Sequence, residues 1–272
     1  MDLSREPFPP EEAASSARRG IRETVCLLDT NVWARGLPAA LDRIASWADA
    51  PAGRYVCVAD TRSITLALNS DRHRRSMAGA SMVTPDGMPL VLAGRLNGSP
   101  SMSRVCGPDL LPALCARFAS QGWRHYFYGG APGVAEELSR RLSKEIPGLC
   151  VAGTYSPPYR PISQAEDDEI VQRIISSRPN VVWVGLGCPK QEEWMHEHSK
   201  RIPNAILIGV GAAFDYHAGT KKRAPMWMQR FALEWLHRLL SEPRRLWRQY
   251  LMYPPQFALA VALDLVGPKR VK

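Results

Sequence analysis

Val181-Val182-Trp183-Val184-Gly185-Leu186-Gly187-Cys188-Pro189-Lys190-Gln191-Glu192 is the stretch that decides the fold. Its four leading apolar residues lack the in-out alternation of a half-exposed strand and suit a parallel strand buried on both faces. Two glycines then let backbone come close to a ligand, and Pro189 opens the next helix. A strand passing through such a turn into a helix is the unit of an α/β fold, where ligands bind beyond the carboxyl ends of the strands.

The same order recurs at Val83-Thr84-Pro85-Asp86-Gly87-Met88-Pro89, with a carboxylate where the strand stops and a helical run over residues 90–96. Two readings of Asp86 stand on the residues: a catalytic base, or a helix cap with Gly87 easing the turn. Further strands are expected at residues 25–28, 55–59, 125–128, 149–154 and 205–208. Helices are expected at 37–48, 64–69, 71–77, 88–96, 110–119, 134–142 and 163–177. The capping box of Ser163 and Glu166 opens the last of these, and Pro132 stands in the first turn of the one before. The fold class is therefore α/β: a Rossmann-like, mostly parallel sheet flanked by helices, with a basic helical C-terminal appendage.

Asp60 ends its strand either as a sugar contact or as the cap of the following helix. Gly129-Gly130 is a turn that can approach a phosphate. Tyr155 and Tyr159 either stack on a base or cover an apolar edge. Gly209-Val210-Gly211-Ala212-Ala213-Phe214-Asp215 lacks the third glycine of a dinucleotide fingerprint, yet its strand end faces the same crevice. His196 and His198 point to different faces of one helix, which argues against a metal site, and no Asp-x-Asp pair occurs.

With 272 residues, 45% hydrophobic and 22% charged, the chain can bury one substantial core. A net charge of +9 calls for an anionic partner, for which nucleic acid, acidic lipid and a nucleotide diphosphate all qualify. The six cysteines are scattered without a CxxC pair and read as reduced core residues. Residues 1–22 read as a disordered leader without the apolar segment of a signal peptide, 23–225 as the core and 226–272 as the appendage. No run reaches the roughly 18 to 20 apolar residues of a spanning helix.

Basic residues crowd the end of the chain at Lys221, Lys222, Arg223, Arg230, Arg238, Arg244, Arg245, Arg248, Lys269 and Arg270. Trp227, Trp235, Trp247, Tyr250 and Tyr253 are interleaved with them. That composition suits a segment resting on anionic headgroups, and also a nucleic-acid surface. Trp227, Phe231, Trp235 and Leu239 fall at helical spacing, as in a helix over residues 226–240 packed on the core, and residues 257–266 add an apolar patch.

The motifs at Thr84–Gly87, Val184–Glu192, Gly209–Asp215 and Lys222–Pro225, with Glu234-Trp235-Leu236 and Glu242-Pro243-Arg244-Arg245, come in one order. Together they resemble the bacterial glycosyltransferase family known by its members WecG, TagA and CpsF, over about residues 26–250. The resemblance implies an inverting, metal-independent transferase working at the cytoplasmic face of the membrane as a peripheral enzyme. It would move a sugar from a UDP-sugar donor to a polyprenyl-diphosphate-linked sugar acceptor, in surface or extracellular polysaccharide synthesis. No cofactor and no nucleic acid is implied, and a homo-oligomer is.

Asp86 becomes the base by this resemblance. Substrate contacts fall to Asp60, Arg104, Gln191, Gly185, Gly187, Gly209, Gly211 and Asp215. The arginines Arg238, Arg244, Arg245 and Arg248 would hold a diphosphate, since guanidinium forks match phosphate oxygens and neutralise a leaving group. The chain departs from the family pattern at Val58 and Asp60, where Thr-x-Asn is usual, and at Cys106, which replaces a Thr. The rivals are a nucleotide-dependent oxidoreductase on a Rossmann-like sheet and a basic nucleic-acid-binding module.

Overall fold

The computed structural model describes residues 22–266. The leader expected at 1–22 falls almost wholly outside the described residues, as do Lys269 and Arg270.

The chain begins with a hairpin, β1 (Thr24–Leu27) and β2 (Thr30–Trp33), paired antiparallel. Leu28 and Asp29 form its turn with φ of 50° and 63°, the backbone a tight hairpin needs. The apolar run at 25–28 is therefore not a strand of the main sheet: Val25 and Leu27 point inward while Thr24 and Cys26 are exposed. There follow α1 (Leu37–Ala45), β3 (Tyr55–Ala59), α2 (Thr61–Asn69), α3 (Asp71–Ala78), β4 (Met82–Pro85), α4 (Met88–Leu96) and α5 (Gly107–Phe118). Next come β5 (Arg124–Gly129), α6 (Val134–Glu145), β6 (Cys150–Tyr155), α7 (Gln164–Ser176), β7 (Val181–Gly185), α8 (Lys190–His198), β8 (Ile206–Gly209) and α9 (Ala213–Ala218). The last elements are α10 (Met226–Arg230), α11 (Glu234–Ser241) and α12 (Pro243–Val266).

Six strands pair in the order β4-β3-β8-β7-β5-β6, every pair parallel. Alternate side chains of each strand enter opposite layers. Tyr55, Cys57, Val182, Val184 and Leu207 pack with α2, α4, α7 and α8. Val56, Val58, Trp183, Ile206 and Ile208 pack with α1, α5, α6 and α9. Burial on both faces is why these strands are apolar throughout. The sheet is thus the α/β arrangement expected, and because all strands run one way, their carboxyl ends make a single rim. Asp60, Asp86, Gly129, Gly185 and Gly209 all stand on it. After β4 the chain crosses to β5, and β7 and β8 later fill the middle, which opens a crevice at the rim.

Several local expectations are corrected. Pro132 precedes Gly133, whose left-handed φ of 83° caps α6, so the proline lies outside that helix. Of the cysteines, all free, Cys57, Cys106 and Cys115 are buried, Cys150 and Cys188 partly so, and Cys26 is exposed. Residues 226–240 form two helices, with Ala232 between them at φ 60°. The break destroys the expected core-facing stripe: Met228 is buried, while Trp227, Phe231 and Trp235 are exposed. Conversely, the apolar patch at 257–266 is partly core, since Phe257 and Val261 pack into the layer with α2 and α4.

Candidate active site

Asp86 follows β4 directly, and its backbone N–H continues the parallel ladder to the Ala59 carbonyl at 2.8 Å. Ala59 pairs with Pro85, so Asp60 and Asp86 leave adjacent strands abreast. Neighbouring strands lie about 4.8 Å apart, which sets the two carboxylates within each other's field. The Asp86 carboxyl is pushed up to about 7, chiefly by burial and then by Asp60, with Glu234 adding to it and Arg238 and Arg104 opposing. Asp86 nevertheless keeps some accessible surface, which a group meeting substrate requires. Gly87, not Asp86, occupies the N-cap of α4. Asp60 does cap its helix, accepting from the Ser63 N–H at 2.9 Å.

The turn after β7 is held from beneath. Gln191 is buried, its Oε1 accepting from the Gly187 N–H at 3.1 Å and its Nε2 donating to Glu192 at 2.9 Å. A side chain at Gly185 would strike the Phe214 ring at 2.7 Å, and one at Gly209 would strike the Met195 methyl at 2.7 Å. Packing alone requires those two glycines. Gly187 differs, with φ 77° and open space where a Cβ would stand, so there a ligand can approach backbone closely. Gly211 sits beside Gln191 at φ 51°. Below the rim Glu192 is fully buried, its Oε2 without a partner. Burial pushes its carboxyl up to about 7, against the Gln191 hydrogen bond and with a smaller push from Asp60.

The C-terminal helices reach this rim through a set of ion pairs. Glu234 of α11 accepts from Arg104 at 2.7 Å and from Arg223 at 3.3 Å, and Arg223 donates to Asp109 at 2.6 Å. Arg104 is thereby engaged by the appendage while lying in the field of Asp86. Lys221 joins Asp215 at 3.4 Å to Glu242 at 3.2 Å, so Asp215 serves this seam. Arg238 has no ion-pair partner among the described residues. It lies within electrostatic reach of Asp86, Asp60, Tyr216 and Tyr250.

The structure thus brings Asp86, Asp60, Arg104 and Arg238 together. Arg245 is paired with Glu242 at 2.7 Å, and Arg248 lies exposed over the Trp247 ring at 5.2 Å. Arg244 is exposed. Sequence reasoning passed over Glu192, Glu234, Tyr216 and Tyr250 as site-forming residues. Glu192 and Glu234 lay inside quoted motifs, which was the available signal. No three His, Cys, Asp or Glu side chains among the described residues form a group able to hold a metal ion.

A carboxylate that burial pushes up to about 7 at the ligand rim of an α/β sheet, within the field of two guanidinium groups, suits an enzyme acting on an anionic substrate. The chain matches the Glycosyl transferase WecG/TagA/CpsF family over residues 25–271, and it belongs to that family. It is 34% identical over 209 residues to the N-acetylglucosaminyldiphosphoundecaprenol N-acetyl-beta-D-mannosaminyltransferase of Bacillus spizizenii, covering 77% of this chain and 79% of that one. The enzyme of the same name from Bacillus subtilis is 34% identical over 186 residues, covering 68% and 70%. The protein is a glycosyltransferase, which disposes of the oxidoreductase reading.

Proposed function

We propose that this glycosyltransferase moves a sugar from a UDP-sugar to a polyprenyl-diphosphate-linked N-acetylglucosamine, with inversion and without a metal, in the synthesis of a cell-wall or extracellular polymer. The observation that carries the reading is Asp86: a carboxylate at the sheet's ligand rim, pushed up to about 7 by burial, within electrostatic reach of Arg238, which forms no ion pair among the described residues. The acceptor hydroxyl loses its proton to Asp86 as its oxygen attacks the anomeric carbon, and the bond to the donor diphosphate breaks on the opposite face. Arg238 neutralises the charge that develops on the departing diphosphate. Two strands, β3 and β8, lie between Asp86 and the Gly187 turn, and the three strand spacings amount to roughly 14 Å, which leaves an extended sugar nucleotide room along the rim. Both relatives are named for an acceptor of this kind and for a β-linked mannosaminyl product, and an α-linked sugar nucleotide yields a β product by a single inversion.

The aromatic face of α10 and α11 supports a peripheral seat on an anionic, cytoplasmic-side membrane surface. Trp227, Phe231 and Trp235 are exposed, and so are Arg230, Arg244 and Arg248, the composition that favours headgroups. No helix among the described residues is long and apolar enough to cross a membrane. The test is a panel of UDP-sugars against a synthetic polyprenyl-diphosphate-N-acetylglucosamine, with the product's anomeric configuration read by NMR and turnover repeated in EDTA. A β product formed at undiminished rate in EDTA is expected. An α product overturns inversion, and activity lost in EDTA and restored by Mg²⁺ overturns metal independence.

A further inference from the structure

Arg62 stands in the first turn of α2, two residues after Asp60, where α12 crosses that helix. Its Nη1 lies 3.4 Å from Gln249 Oε1, a long hydrogen bond, and its guanidinium sits 5.8 Å from the centre of the Tyr253 ring. Its Nε is out of reach of solvent and has no partner. Half-buried arginines elsewhere along this seam are matched: Arg104 with Glu234, Arg223 with Asp109 and Glu234. Neither Arg62 nor Arg238 forms an ion pair among the described residues. One turn of α12 touches both, since Gln249 and Tyr253 meet Arg62 while Tyr250 lies beside Arg238.

Burying part of a guanidinium without a counter-charge is costly, and folding gains little here in return beyond a ring contact and one long bond. The missing partner must carry negative charge, and a diphosphate offers a guanidinium fork more than one oxygen. Asp60 and Asp86 lie on the sheet side of that seam, so a bound diphosphate there would bring a sugar to the carboxylates.

We propose that Arg62 is a diphosphate-binding residue, supplying from the sheet side of the α2–α12 seam the second guanidinium of a subsite whose first is Arg238. This rests on the transferase reading above, in which both substrates carry a diphosphate. Arg62 binds either the donor's diphosphate or the acceptor's, and the two are separable by experiment.

The test uses the full-length protein with Arg62→Gln and Arg62→Lys, titrated calorimetrically with inorganic pyrophosphate, UDP and farnesyl diphosphate. Arg62→Gln is expected to weaken pyrophosphate about 10- to 100-fold, the scale of a lost charge-assisted hydrogen bond, with Arg62→Lys recovering only part. Of the two organic probes, a matching loss for UDP alone assigns the donor, and one for farnesyl diphosphate alone assigns the acceptor. Affinities unchanged within about twofold for all three probes, or no binding of any probe by the wild type, overturn the proposal. So does a loss accompanied by faster tryptic cleavage within residues 226–266, because Arg62 would then only tether α12. Pyrophosphate binding does not depend on turnover, so a failure of Asp86 as base leaves this result readable on its own.

Discussion

Trp183 in β7 and Trp235 in α11 are the same side chain under opposite constraints. Trp183 is fully buried, and its Nε1–H reaches His125 Nδ1 at 3.1 Å. Trp235 is 46% exposed and leans only on Tyr250, 5.9 Å away between ring centres. The contrast extends to the charges. In the layer of α7 and α8 the Asp167 carboxylate is matched by Arg201, whereas in the C-terminal helices aromatic rings face outward and Arg238 forms no ion pair among the described residues. Packing accounts for the first region. The second keeps features that folding does not need, and those are where ligand chemistry belongs.

The sharpest way to break this contrast is Asp86→Asn. A positioned base typically supplies about 10²- to 10⁴-fold, so kcat should fall by that order with secondary structure unchanged. Stability gives an independent check. The folded state holds the Asp86 proton more tightly than the unfolded chain, since its carboxyl is raised to about 7. That preference costs stability as pH climbs from about 4 through 7. Asp86→Asn should therefore melt above the wild type at pH 8 and converge with it at pH 4. Near-normal turnover would remove Asp86 from the chemistry whatever the melting curves showed.

Phe257→Ala probes where the two regions meet. Phe257 lies in the layer with α2 and α4 although it belongs to the last helix, and such truncations cost about 3 to 5 kcal/mol. Denaturant unfolding is expected to show a loss of that size. A loss below about 1 kcal/mol would mean that α12 is only loosely laid on the core. Deleting the chain from Arg238 onward is for the same reason a poor test of lipid binding, because it also uncovers the core. Changing Trp227, Phe231 and Trp235 together to Ser is cleaner. Sedimentation with vesicles rich in anionic lipid should drop about tenfold or more, given about 1.5 to 3 kcal/mol for each large apolar side chain withdrawn from burial. Turnover of a short-chain soluble acceptor should persist. Retained vesicle binding would take the aromatic face out of membrane contact.

What was legible beforehand follows the same division. The all-apolar Val181–Val184 run, the capping box of Ser163 with Glu166 and the bounds of α4 are set by neighbours in sequence, so local patterns carried them. Asp86 at a strand end belongs to this group as well. The reversal at Ala232 carries no such mark, since alanine is ordinarily a helix former, and only the docking of α11 against Arg104 and Arg223 accounts for it. Glu192 stands beside Gln191 in one motif, yet its burial depends on β3 and β8 closing beside β7, contacts made from distant parts of the chain. Arg62 was hidden for a related reason: its surroundings come from α12, almost two hundred residues later, and a single arginine in a helix's first turn has no local signature.

The smallest expected effect concerns the pair of carboxylates on adjacent strands. Asp86 must be ionised to accept a proton, so kcat/KM should rise with pH and level off above about 7. Asp60→Asn removes the neighbouring charge but retains the helix cap, because the amide oxygen can still accept from Ser63 N–H. Burial and Glu234 continue to hold the Asp86 carboxyl up, while Arg238 and Arg104 continue to pull it down. The midpoint should therefore move only part of the way, toward lower pH by about one unit, as expected for removing one like charge. A midpoint that stays in place while KM for the donor rises would make Asp60 a sugar contact instead. An unchanged profile with unchanged KM would leave it only the cap of α2, and the elevation at Asp86 would then rest on burial with Glu234.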